Sequence, residues 1–132
     1  MSTIFTKIIK GEIPCFKIAE NSTHIAFLDI NPVSEGHTLV VPKEEIDYVF
    51  DLPDKLLADT MIFAKKVAHA IDQTLRPMRT GIILDGREVP HAHVHLIPIY
   101  KDSQSVALSN KMDISKERMT EIAEVLSAGV EL

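Results

Sequence analysis

Tryptophan is absent from these 132 residues, cysteine occurs once and glycine five times. The single thiol, Cys15, excludes an intrachain disulfide and any Cys-x-x-Cys pair, which agrees with a reducing compartment. No stretch approaches the roughly 20 consecutive apolar residues of a membrane span. Lys7 and Lys10 interrupt the short apolar runs at the N-terminus, so no signal-peptide core is present there. A cytoplasmic protein with no membrane partner is expected. Basic residues are too few for a polyanion coat: 14 Lys and Arg stand against 19 Asp and Glu, a net charge of -5. That excludes general binding of nucleic acid polymers. A small nucleotide remains admissible, because backbone N–H groups and histidines hold phosphate on an acidic protein. Repeats, low-complexity tracts and linker-like stretches are also missing, so residues 1–132 are read as one domain.

What is present reads as alternating short strands and two longer helical patterns. Ile4–Ile9 fits a helical turn with Ile4, Phe5 and Ile8 on one side, ended by Gly11 and Pro14. Cys15–Ala19 and His24–Ile30 read as a hairpin around Glu20-Asn21-Ser22. Ile25, Phe27 and Asp29 share one face of its second strand, and Ala26, Leu28 and Ile30 the other. His37–Val41 is a third strand, closed by Pro42. From Leu52 to Leu75, Leu57, Met61, Ala64, Ala68, Ile71 and Leu75 form an amphipathic stripe. Arg79–Leu84 and His91–Tyr100 read as two further strands. A last helix starts from Asp113 or Ser115, with Met119, Ile122, Ala123 and Leu126 as its apolar face. The order β-β-β-α-β-β-α with short turns predicts an α+β fold with antiparallel pairing.

The chemistry concentrates between Gly86 and Pro98. His91, His93 and His95 recur at a spacing of two, which in a strand places three imidazoles on one face and Ala92, Val94 and Leu96 on the core face. Three readings are open. Surface histidines are one, disfavoured by the regular spacing opposite an apolar face. A metal site is the second, but its fourth ligand (Asp29, His37, Asp85 or Glu88) cannot be placed from sequence. The third is catalysis on phosphorus: one imidazole attacks while its neighbours donate to phosphate oxygens or protonate a leaving group. His24 and His69 match no such pattern and read as structural or surface residues.

The run His91-Ala92-His93-Val94-His95-Leu96-Ile97 resembles the His-φ-His-φ-His-φ-φ signature of the histidine triad (HIT) nucleotide-binding family, φ being apolar. Three more blocks match it in order: Ile4–Pro14, Ala26–Pro32 and Gly36–Lys43. The closest likeness is to the Hint-like nucleoside phosphoramidase branch. That resemblance implies a five-stranded antiparallel sheet with one long and one C-terminal helix, extended to ten strands in a homodimer. It implies hydrolysis of nucleoside 5′-phosphate derivatives, purine phosphoramidates first, through a nucleotide carried covalently on His93. A nucleotide-binding module sensing AMP or GMP with little turnover is the alternative.

By position, His91, His95 and His37 accompany the His93 nucleophile, Asp29 accepts the ribose hydroxyls, and Ile30 lines the base pocket with Ile4, Phe5, Ile8, Phe27 and Leu39. Asp85, Glu88 and Val89 fall where relatives carry phosphate-site residues, an asparagine and then a Gln-Ser/Thr-Val. Carboxylates there would repel a phosphate, and Arg87 offers an offsetting charge. Many relatives also carry a zinc site of two cysteines and a histidine; the matching positions here are Thr3, Thr6 and Glu45. With the thiolates gone, neither zinc nor any other cofactor is expected.

Overall fold

The computed structural model describes residues 3–132. A short helix α1 (Ile4–Ile9) is followed by strands β1 (Lys17–Glu20), β2 (His24–Leu28) and β3 (Thr38–Pro42). A single 3-10 turn, Val49–Asp51, leads into the long helix α2 (Asp54–Thr74). Strands β4 (Arg79–Ile83) and β5 (Val94–Ile99) and the C-terminal helix α3 (Lys116–Gly129) complete the chain. The five strands form one antiparallel sheet in the order β1-β2-β3-β5-β4. This is the expected α+β architecture. Among the described residues, no helix is long and apolar enough to cross a membrane.

Period-two alternation sorts the sheet into two faces. Ala26, Leu28, Val40, Val94 and Leu96 pack with Phe63, Ala64, Val67 and Ile71 of α2 and with Met119, Ile122, Ala123 and Leu126 of α3. Burying each large side chain there stabilises the fold by about 1.5–3 kcal/mol. On the opposite face Ile25, Phe27, Leu39 and Val41 meet Phe5 of α1. Leu39 pairs with His95 across β3 and β5, which puts that imidazole on the α1 side of the sheet. The helix caps follow from side-chain chemistry. Thr3 Oγ1 accepts the Thr6 N–H at the start of α1, and Ser115 Oγ accepts the Arg118 N–H at the start of α3.

Three differences from the sequence reading have physical causes. The buried stripe of α2 is Thr60, Phe63, Ala64, Val67, Ala70 and Ile71 rather than the Leu57–Met61–Ala68 phase. Thr60 enters it because its hydroxyl has partners: it donates to the Leu56 carbonyl and accepts from His24, whose buried ring stacks on Phe63. Second, β5 starts at Val94, so of the three histidines only His95 lies in the strand. His91 and His93 belong to an irregular lead-in with a bend at His91, and Ala92 packs with Val49 and Leu52 of the 3-10 region, apart from the main core. Third, β2 ends at Leu28 rather than Ile30, where Asp29 turns to accept the Asn31 N–H. Just past the end of α2, Arg76 takes a left-handed backbone (φ 56°), where a glycine would be unstrained.

Candidate active site

Four imidazoles, His37, His91, His93 and His95, are each at most 1% exposed, and main-chain groups dictate where their protons sit. Two kinds of group have no freedom: a backbone N–H only donates and a carbonyl only accepts. The Val33 N–H donates to His37 Nδ1 at 3.0 Å. Neutral His37 therefore carries its proton on Nε2 and donates it to His95 Nδ1 at 2.9 Å. His95 in turn carries its proton on Nε2. Among the described residues, that His95 Nε2 is the buried side-chain polar atom with no hydrogen-bond partner.

His93 is fixed in the same way. Its Nδ1 donates to the His91 carbonyl at 2.7 Å, which leaves Nε2 as the lone-pair nitrogen. The His91 ring donates from Nε2 to the Pro42 carbonyl at 2.8 Å, and its Nδ1 faces Thr3 Oγ1 at 3.0 Å. The His93 and His95 rings lie edge to face with centroids 4.8 Å apart, and Phe5 presents its ring to His93 at 5.0 Å. Burial favours the uncharged forms. It pushes His37 down to about 4 and His95 down to about 3, and it lowers His93 as well. His37, His93 and His95 are thus neutral rings with assigned donors and acceptors near neutral pH.

Asp29 follows β2 and is 8% exposed. Its Oδ1 accepts the Asn31 N–H at 2.8 Å, the Asx turn that Asn31-Pro32 favours. Its Oδ2 lies 3.6 Å from His37 Nε2. Burial raises the Asp29 pKa, against the Asn31 hydrogen bond and the Lys111 charge, which lower it. One atom each from Asp29, His37 and His95 lie within 4.8 Å of one another, a spacing that could seat a metal ion. The His37 nitrogen in that trio already carries the proton given to His95, so a cation would have to displace it.

Most of the positions read from the sequence converge. Phe5, Phe27 and Leu39 form one apolar cluster against which the half-buried Val89 packs. Ile30 is 69% exposed, so it reaches the site only as an open wall. Asp85 and Glu88 each have a cation beside them. Arg87 grips Asp85 through two contacts of 2.7 Å and holds its carboxyl down at about 2. Lys111 Nζ lies 3.4 Å from Glu88. The positions of Thr3, Thr6 and Glu45 also come together, beside His91, but as a hydrogen-bonded cluster of oxygens.

Lys111 is the residue the sequence did not disclose. It sits in a polar stretch without regular structure, where nothing but its charge sets it apart. The fold draws that stretch over the histidines: the Met112 N–H donates to the Pro32 carbonyl at 2.8 Å, next to Asn31. The Lys111 charge then acts on Asp29, His37 and His95 together, lowering all three.

Comparison with known proteins agrees with this geometry. The model of the HIT domain matches residues 10–102. An adenosine 5′-monophosphoramidase of Schizosaccharomyces pombe is 36% identical over 132 residues, covering 98% of this chain and 99% of that protein. Another adenosine 5′-monophosphoramidase, from Saccharomyces cerevisiae, is 45% identical over 96 residues, 72% of this chain and 61% of that one. A crystal structure of a Hit-like protein from Bartonella henselae, described as involved in cell-cycle regulation, superposes with a TM-score of 0.87 at 27% identity, covering 98% and 96% of the two chains.

Proposed function

This chain belongs to the histidine triad family, and from that premise we propose that it hydrolyses nucleoside 5′-phosphate derivatives, purine nucleoside phosphoramidates first, through a nucleotidyl group carried on His93. One observation carries the reading. A buried donor, His95 Nε2–H, has no partner among the described residues and lies beside a histidine whose Nε2 lone pair is unprotonated. Leaving a buried polar group unpaired costs about 1–3 kcal/mol, which a phosphate oxygen accepting that proton removes.

The steps follow from the assigned protons. His93 Nε2 attacks phosphorus, the P–N bond breaks, and the nitrogen leaves as an amine with a proton taken up from water. As His93 becomes charged, its Nδ1–H bond to the His91 carbonyl strengthens and stabilises the intermediate. Water then attacks phosphorus, the His93–P bond breaks, and the nucleoside monophosphate departs. His95 Nε2–H donates to a phosphate oxygen in both steps, with its tautomer held by His37. Asp29 accepts the ribose hydroxyls, and Phe5, Phe27, Leu39 and Ile30 flank the base.

The second reading, a sensing module for AMP or GMP with little turnover, draws on the carboxylates at Asp85 and Glu88. Arg87 and Lys111 offset both, which favours turnover. Incubation with adenosine 5′-phosphoramidate decides: wild type releases AMP and His93→Ala does not. AMP binding without release of AMP from the phosphoramidate would overturn the hydrolase reading.

We further propose a homodimer joined along β4. That edge strand and its flanks expose Met78, Ile82 and Leu84, an apolar row that an unpaired edge rarely shows to solvent. A dimer mass in light scattering at micromolar concentration is the expected result, and a monomer mass overturns it.

A further inference from the structure

We propose that Thr3, Thr6 and Glu45 are positioning residues for the His93 nucleophile, acting through the ring and carbonyl of His91. The protons in this cluster can be assigned one by one. Glu45 Oε1 accepts the Thr3 N–H at 3.3 Å and makes a short hydrogen bond with the Thr6 hydroxyl. The Thr6 hydroxyl proton is spent on Glu45. Thr6 Oγ1 therefore cannot also donate to His91 Nδ1, 3.4 Å away. Thr3 Oγ1 accepts the Thr6 N–H at 3.1 Å, which leaves the Thr3 proton free. Two acceptors lie in reach, Thr6 Oγ1 at 3.2 Å and His91 Nδ1 at 3.0 Å, and we assign the proton to His91 Nδ1, the nearer, whose lone pair is bare once Nε2–H is given to the Pro42 carbonyl. One hydroxyl thus does two jobs: it caps α1 with its lone pair and holds a histidine with its proton.

The His91 ring is consequently gripped at both nitrogens, by Thr3 on one side and by the Pro42 carbonyl on the other. Its backbone is held as well. The His91 N–H reaches the Val89 carbonyl at 2.8 Å, and the Ala92 N–H the Ile46 carbonyl at 2.7 Å. Ile46 follows Glu45 directly, so the segment that anchors the hydroxyl network also anchors the peptide after His91. The carbonyl between these fixed points receives the His93 Nδ1–H. Any rotation of the His91 peptide turns that carbonyl away and lets the attacking ring swing. Phe5 of α1 touches both rings, at 5.9 Å from His91 and 5.0 Å from His93, so the helix that Thr3 caps is itself part of the clamp. The exposed Glu45 carboxylate stays ionised through its bonds to Thr6 and Thr3, which keeps it an acceptor.

A substitution that separates the two jobs of Thr3 tests this. Thr3→Asp keeps a good helix cap but cannot donate to His91 Nδ1, whereas Thr3→Ser keeps both functions. The kinetic arm rests on the phosphoramidase reading. On adenosine 5′-phosphoramidate, Thr3→Asp is expected to lower kcat about tenfold with KM within about twofold, and Thr3→Ser to retain the wild-type rate. Glu45→Ala lowers kcat in the same way, and Glu45→Gln, which still accepts through its amide oxygen, recovers most of it. The second arm needs no substrate. Nitrogen-15 correlation spectra of labelled histidines in wild type show His91 protonated on Nε2 and bare on Nδ1, and Thr3→Asp changes that pattern. An unchanged kcat in Thr3→Asp, or a wild-type His91 protonated on Nδ1 instead, overturns the proposal. A wild type that turns over no phosphoramidate overturns the functional reading alone, and the spectra still decide the network.

Discussion

His37 Nε2 gives its proton to His95 Nδ1 across 2.9 Å, and the Val33 N–H leaves it no other choice. The relation is one of order. The loop before β3 sets His37, His37 sets His95, and His95 presents Nε2–H to the site. Replacing His37 with Phe keeps the volume and removes the instruction. His95 is then free to put its proton on Nδ1, and the donor facing the phosphate is lost. The expected result is a loss of about ten- to a hundredfold in kcat on adenosine 5′-phosphoramidate, with AMP affinity reduced less.

Neutral buried imidazoles make stability depend on pH in a known direction. In the unfolded chain these rings protonate near 6.5, whereas folded His37 and His95 hold off until about 4 and about 3. Below 6.5 the unfolded state binds more protons, so stability falls as pH falls. Each ring contributes up to about 1.4 kcal/mol per pH unit within its window. Asp29, raised by burial, works the other way at the acid end. Urea titrations at pH 7.5, 6 and 5 are expected to show a steady drop in unfolding free energy. A flat profile over that range would contradict the assigned neutral forms.

Lys111 answers for Glu88. Removing it in Lys111→Ala takes away the cation 3.4 Å from Glu88, beside the phosphate position proposed above, and AMP affinity is expected to fall about tenfold. Adding Glu88→Gln removes the repulsion and restores most of the loss. Calorimetric titration of AMP into both variants and into wild type measures it, and rising salt is expected to shrink the difference. Equal affinities for wild type and Lys111→Ala would show that the pair is only a surface contact.

Gly36 holds the corner before His37. Its φ is +90°, and a Cβ there would stand 2.5 Å from Leu75 Cδ1 and 3.2 Å from Pro98 Cγ. Gly36→Ala therefore combines backbone strain with a clash at the end of α2, an expected destabilisation of about 2–4 kcal/mol by thermal or chemical denaturation. Arg76→Gly is the converse. It relieves a left-handed arginine at a helix end and is expected to raise stability by about 0.5–1 kcal/mol.

The strands, the helices and their faces were readable because burial imposes periods of two and near four on the residues themselves. Ile25 and Phe27 against Ala26 and Leu28 is the clearest instance. The phase of α2 misled because Thr60 looks polar until His24 gives it a partner, and Met61 looks like core although it is 37% exposed. His93 was identifiable from its spacing. Its orientation was not, because the His91 carbonyl fixes it, as the Pro42 carbonyl fixes the His91 ring, and carbonyls leave no mark in a sequence. Lys111 was invisible for a related reason: a lone charge in an irregular stretch acquires a role only when the fold brings that stretch over the site.

The two ends of β3 acquire a different meaning from these contacts. Pro42, its last residue, holds His91, while Val33 and His37, just before its start, determine His95. Both halves of the proton arrangement hang on one central strand. Fraying of β3 from its neighbours would release them together, so the competence of the site and the slowest amide hydrogen exchange in the sheet should report the same opening event. The site then behaves as a gauge of strand integrity, present in full or not at all.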